Sequence, residues 1–266
     1  MKDKLDYIKL EALGLSEGQT VQVDCPQCGK PKLSITRTDN GILYNCWRAS
    51  CTLSGAIGGV SNITHTKPPF QPRIFTGNLK EISNELYSSY ISKYHMGYPF
   101  MKKQAKEIVG EHGIAIPLYN QDRIFIGYTT KHFDSAQKAM HYIEVDSKPA
   151  MHFPLPAEHY NALGRAVLVE DALSAMKINY SSEYQGVALL GTHFSDDHAK
   201  LLLKSGYNKL AIWLDPDARD KAASIKQKYG IFFNEFRVVY SDIDPKDTPI
   251  QETVAILKEL FRDDLV

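Results

Sequence analysis

The stretch Lys209-Leu-Ala-Ile-Trp-Leu-Asp215-Pro-Asp217 decides how this chain folds. After Lys209 it is apolar without a break, which reads as a strand buried in a parallel sheet, and it ends in two acids one residue apart. Upstream, Ala166-Val-Leu-Val169 is a second run of the same kind, and it ends in Glu170. In open α/β sheets, ligands bind beyond the carboxyl ends of the strands. Glu170, Asp215 and Asp217 delivered to that edge make an all-oxygen site suited to one or two Mg²⁺ or Mn²⁺ ions. Phosphoryl and nucleotidyl transfer need such a site, because metal ions there clamp attacking and leaving oxygens. Capping explains any one acid at a strand-to-helix junction. Three together, each after an apolar strand, favour the metal site.

The flanking pattern alternates. Strands are predicted over residues 165–171, 186–192, 209–217 and 236–241. Helices are predicted over 172–180, 195–205 and 219–229, with an amphipathic helix from residue 248. Strands separated by helical stretches imply a doubly wound parallel sheet. With its glutamate and aspartate pair, this segment resembles the TOPRIM domain of primases, topoisomerases and some nucleases. Two departures are local: Asp171 stands where the family usually has Gly, and Asp220 stands near a second such place. Both leave the acids intact and make the loop backbones less permissive. Asp244 and Asp247, in Asp244-Pro-Lys-Asp247, resemble a further acidic position of that family.

All four cysteines lie near the amino end, as Cys25-Pro-Gln-Cys28 and Cys46-Trp-Arg-Ala-Ser-Cys51. Two close pairs seventeen residues apart fit one tetrahedral Cys₄ zinc site. Residues 32–37 and 41–45 alternate as a hairpin turned by Asp39-Asn40-Gly41, which is zinc-ribbon architecture. No signal peptide or apolar membrane span is apparent, so a reducing, cytoplasmic setting is expected (the host cytoplasm if the protein is viral) and disulfides are not. Four thiolates leave no open coordination position, which makes the zinc structural.

Net charge is zero, so there is no overall basic footprint for nucleic acid, but its distribution is uneven. Residues 61–155 carry eleven basic and eight acidic residues, and residues 156–266 carry thirteen and seventeen. Residues 61–73 are polar and contain Pro68, Pro69 and Pro72, which reads as an extended tether. Leu79, Ile82, Leu86, Tyr90 and Ile91 recur at helical spacing and read as core packing. Residues 113–119 and 124–128 read as a hairpin. This strand pair resembles the one that precedes the TOPRIM segment in bacterial and bacteriophage primases. There, lysines after the second strand face the cleft and contact triphosphate or template. The resemblance carries that role to Lys131 and Lys138.

The whole chain thus resembles a bacterial-type DNA primase, nearest the primase half of bacteriophage primase–helicases. The implied fold is α/β with a β zinc ribbon (1–60), a linker (61–76), an α+β polymerase amino-terminal lobe (77–158) and a TOPRIM lobe (159–266). The implied activity is synthesis of short RNA primers from ribonucleoside triphosphates on single-stranded DNA. Asp215 and Asp217 would hold the Mg²⁺ or Mn²⁺, with Glu170 as a further ligand or general base. No Gly-x-x-x-x-Gly-Lys-Ser/Thr phosphate loop occurs, so the replicative helicase is expected on a separate polypeptide. Two other classes compete: a TOPRIM nuclease using the same acids, and a non-catalytic DNA- or helicase-binding protein.

Overall fold

The structure, a computed structural model, describes residues 2–39, 41–58, 70–134, 138–147, 149–155 and 164–260. It divides into two compact units, Met1–Pro69 and Phe70–Val266.

In the first unit, helix α1 (Lys2–Leu13) packs on a four-stranded antiparallel sheet of β1 (Thr20–Val23), β2 (Leu33–Thr38), β3 (Gly41–Cys46) and β4 (Ser54–Ile57), in that order. The β2–β3 hairpin pairs Leu33 with Cys46 through to Thr38 with Gly41. Asn40, in its turn, lies outside the described residues. Ile8 and Ala12 of α1 close a small core with Leu33, Ile35, Cys25 and Cys46. The cysteines are therefore part of this core, which is too small to be stable without a staple.

Of the expected linker, residues 61–69 lie outside the described residues. Beyond them, the Arg73 amide donates to the Ile143 carbonyl at 2.9 Å, and the Phe75 ring packs on Tyr128 and Tyr142 with centroids 5.5 and 5.2 Å away.

The second unit holds two sheets. The first is antiparallel, with strands β5 (Leu79–Lys80), β6 (Lys106–Ile108), β7 (Gly113–Tyr119), β8 (Phe125–His132) and β9 (Met140–Ile143) in sequential order. The helical spacing at 79–94 is realised only in part. Leu79 and Lys80 pair with Ile108 and Glu107 as strand. The helix begins at α2 (Asn84–Leu86), where the Ser83 hydroxyl caps it by accepting from the Leu86 amide at 3.2 Å. It continues as a π turn to Ile91 and a 3₁₀ turn to Tyr94, followed by α3 (Tyr98–Gln104). Ile82, Leu86 and Ile91 are buried all the same, so the periodicity marked core-facing positions although strand replaces the first turn.

The second sheet is parallel throughout. It contains β10 (Arg165–Val169), β11 (Gln185–Ala188), β12 (Lys209–Ile212) and β13 (Glu235–Val238) in the order β11-β10-β12-β13. Helices α4 (Ala172–Ser181), α5 (Asp196–Lys204) and α6 (Arg219–Tyr229) connect them, and α7 (Ile250–Leu260) follows. Right-handed crossovers place α4 on one face and α5 and α6 on the other. Tyr229 of α6 donates to Asp196 of α5 at 2.9 Å, while α7 packs beside α4. The strands are shorter than the apolar runs, because pairing of β12 stops at Ile212 and Pro216 opens a 3₁₀ turn.

The segment Met151–Leu155 joins the two sheets. His152 exchanges backbone hydrogen bonds with Ala188 at 2.9 Å each way, and its Nδ1 accepts from the Tyr119 amide at 3.1 Å. Burial, with the nearby Arg123 charge, drives the His152 pKa down to about 3, so the ring stays neutral. Helix α4 completes the junction: Leu173 and Met176 enter the core of the first sheet, and buried Lys177 donates to the Tyr94 carbonyl at 2.7 Å.

Gly186 lets α4 lie directly on β11. A Cβ there would stand 2.1 Å from the Ala175 carbonyl oxygen. Gly186→Ala should therefore destabilise the second unit by about 1–3 kcal/mol, the usual cost of overpacking, seen as a lower urea midpoint with zinc content unchanged.

Candidate active site and metal centre

The acids converge because the central strands allow no alternative. Ala166, Val167, Leu168 and Val169 of β10 and Leu210, Ala211 and Ile212 of β12 are all fully buried. A charged side chain is tolerated only where the strands leave the sheet. Leu168 pairs with Ile212, and the Trp213 amide still donates to the Leu168 carbonyl at 2.8 Å. Glu170 and Asp215 thus emerge side by side at the carboxyl edge. Asp217 follows in the 3₁₀ turn and is exposed, while Glu170 and Asp215 are half-buried.

Capping does not account for Asp215. It stands at the N-cap of the 3₁₀ turn but makes no side-chain cap hydrogen bond, and its Oδ1 is buried without a partner among the described residues. Capping does account for Asp171, whose carboxylate accepts from the Ser174 amide and hydroxyl at 3.0 and 3.1 Å. Asp171 is thus the N-cap of α4.

Burial governs the electrostatics, and crowding reinforces it. Burial, reinforced by Asp171 and Asp217, raises the Glu170 pKa. Asp215 is pushed up to about 7, chiefly by burial, with Lys246 opposing and Glu170, Asp244 and Asp171 reinforcing. Lys246 was not picked out from the sequence. Its ammonium donates to Asp244 at 2.8 Å and Asp171 at 3.0 Å, and lies 3.8 Å from Asp215. Burial disfavours its charge, but Asp171, Asp244 and Asp215 outweigh burial and raise its pKa. The signal was a lysine inside the acidic Asp244–Asp247 loop, a motif read for its acids alone. Asp247 is exposed, and no hydrogen bond or ion pair joins its side chain to the cluster.

Lys131 and Lys138 separate. Lys131, on β8 opposite Ile114, lines an open cavity of about 100 Å³ together with Thr129, Thr130, Asp171 and Lys246. Lys138 is exposed just ahead of β9 and does not line that cavity. His141 of β9, half-buried, approaches the same wall with Nδ1 3.0 Å from the Thr129 hydroxyl.

The donor set fits hard divalent ions, since partly desolvated carboxylates at one edge favour a cation and Asp215 Oδ1 has no hydrogen-bond partner among the described residues. In the first unit, the Sγ atoms of Cys25, Cys28, Cys46 and Cys51 all lie within 4.8 Å of one another. Cys25–Cys51 and Cys28–Cys46 are each 3.7 Å apart. Disulfides are excluded at that separation. A tetrahedron with Zn–S near 2.3 Å sets sulfurs about 3.8 Å apart, so the four cysteines fit zinc.

No protein-family model matches the chain, and no curated protein matches it in sequence. The fold does match solved structures. The Aquifex aeolicus primase, in its zinc-binding and RNA polymerase domains, aligns with a TM-score of 0.50 at 13% identity, covering 98% of this chain and 83% of that one. The RNA polymerase domain of the Mycobacterium tuberculosis primase DnaG aligns with a TM-score of 0.42 at 18% identity, over 59% of this chain and 57% of that one. The E. coli primase catalytic core gives 0.45 at 16% identity, over 59% and 54%. The matched region therefore spans little more than half the length of the last two. The structural neighbours are DnaG-type primases, and the α/β fold is that of the Aquifex zinc-binding and RNA polymerase domains.

Two outcomes follow from this geometry. Cys25→Ser should release the zinc and unfold the first unit, because its small core includes the cysteines. Elemental analysis and loss of amide protection confined to residues 2–58 check this. For Asp215, the folded pKa near 7 exceeds the ordinary 3.8, so the folded protein binds more protons than the unfolded chain between these values. Stability carried by the neutral form is complete below the lower value and is lost as pH rises toward the upper one. In EDTA, Asp215→Asn should therefore raise Tm at pH 8, with the gain shrinking toward pH 4.

Proposed function

We propose that the chain is a DNA primase that makes short RNA primers on single-stranded DNA. One observation carries the reading: Glu170, Asp215 and Asp217 stand at the carboxyl edge of a parallel sheet, in a fold shared with the Aquifex primase domains over nearly the whole chain. On this reading residues 159–266 are a TOPRIM lobe, residues 77–158 the other half of the catalytic cleft, and residues 1–60 a ribbon on a linker at 61–76.

The reaction joins the 3′-hydroxyl of the growing strand to the α-phosphate of an incoming ribonucleoside triphosphate and releases pyrophosphate. Mg²⁺ or Mn²⁺ held by Asp215 and Asp217 would neutralise the charge that builds on the phosphate oxygens. Glu170, whose proton affinity is raised by burial ahead of its charged neighbours, is suited to accept the hydroxyl proton. Lys131, on the opposite wall of the same cavity as Asp171, is placed to steady the triphosphate as a point charge. Lys138, exposed and outside that wall, is better suited to the template backbone. On the ribbon, Trp47 is 68% exposed and stands beside exposed Lys32 and Arg48, a combination suited to stacking on an unpaired base and holding its phosphates.

The test uses single-stranded DNA, four ribonucleoside triphosphates and Mg²⁺, with products sized on a gel. Short RNA oligomers are expected from the wild type, and none from Asp217→Ala, which should still melt as the wild type does. Shortened DNA would instead identify a nuclease, and neither product a binding protein.

A further inference from the structure

Lys246 is anchored as few surface lysines are. Its side chain is only 15% exposed. The loop that carries it is closed on itself: the Asp244 carbonyl accepts from the amides of Asp247 and Thr248 at 3.0 and 3.1 Å and from the Thr248 hydroxyl at 3.0 Å. Thr248 is fully buried. The partners are fixed as well. Asp171 is held as the cap of α4 by two bonds from Ser174, and Asp215 by its place directly after a buried strand. The ammonium therefore sits among carboxylates from three separate loops, following β10, β12 and β13. Among the described residues, only the four cysteines bring three or more ligand atoms within 4.8 Å of one another. The acids are gathered instead around Lys246.

We propose that Lys246 is the resident counter-cation of this acid cluster. It holds the carboxylates of Asp171, Asp215 and Asp244 together before a divalent ion arrives, and it then competes with that ion for Asp215. The inference rests on reading Asp215 as a metal ligand and adds a regulation of that site. Like charges sharing one carboxylate repel, so the ammonium lowers the site's affinity for a free divalent ion. Without Lys246, the metal-free cluster would repel itself and the ion would meet the full negative charge.

The experiment is a Mn²⁺ titration of the zinc-loaded full chain, followed by calorimetry, together with thermal melting in EDTA. Lys246→Met should bind Mn²⁺ at least about tenfold more tightly than the wild type, since a positive charge within a few ångströms has been removed. It should also melt lower in EDTA and regain the difference on Mn²⁺ addition. Lys246→Arg, which keeps the charge, should stay within about twofold of the wild type, and it keeps the idea testable if the methionine variant does not fold. Unchanged or weaker Mn²⁺ binding in Lys246→Met overturns the proposal, as does markedly tighter binding in Lys246→Arg. A wild type that binds no Mn²⁺ overturns the metal-site reading itself, a result distinct from either.

Discussion

Strands β10 and β12 lie side by side in the middle of the parallel sheet, and beyond Arg165 and Lys209 at their starts every residue is fully buried, so nothing charged fits further along them. The next charged side chains appear only where the strand pairing ends. With Leu168 opposite Ile212, that point is shared, and Glu170 and Asp215 are forced into proximity. Burial, reinforced by the neighbouring carboxylates, disfavours ionisation, which is why both carboxyls hold their protons more tightly than usual. Stability of the sheet and strain at its edge have the same origin.

Function takes its leverage from that strain. A partly buried carboxylate such as that of Asp215, whose Oδ1 has no hydrogen-bond partner among the described residues, has more to gain from a cation than a solvated one. The chain answers the strain in two ways. Ser174 supplies neutral donors to Asp171, and Lys246 supplies a charge to three carboxylates at once. A second cation, Lys131, approaches from the antiparallel sheet and lines the same cavity. The cleft is therefore acidic where the parallel strands end and basic on the opposing wall. On the proposed reading, that polarity would serve a triphosphate, whose anionic oxygens need cations on both sides.

The rigidity of the cleft comes from the junction between the two sheets. Met151–Leu155 bonds to β7 through Phe153 and to β11 through His152, and Arg123 reaches the Phe153 carbonyl and Gln185 at 3.0 and 2.9 Å. Helix α4 contributes side chains to both cores, and Gly186 lets it approach β11 closely enough to do so. The first unit has no comparable core. Its order depends on four sulfurs placed at the spacing zinc requires.

Features written in local sequence were legible without coordinates. Two apolar runs ending in acids marked the parallel strands, since a strand buried on both faces cannot alternate. Alternation on either side of Asp39-Asn40-Gly41 marked the ribbon hairpin, and cysteine spacing marked the four-thiol cluster, because one tetrahedral ion constrains all four thiols. What escaped depended on partners distant in the chain. Leu79 and Lys80 carry a helical spacing yet form strand, because β6 offers unsatisfied backbone groups that the sequence does not advertise. Helix α1 was invisible because its apolar stripe of Leu5, Ile8 and Ala12 is narrow and finds its partner only in the folded sheet. Lys131 and Lys138 were indistinguishable as letters, and only the position of β8 against α4 gives one of them a cavity wall. Lys246 is the clearest case. Its neighbours in sequence place it in an acidic loop, but three loops from three strands had to meet before it became the cation they share.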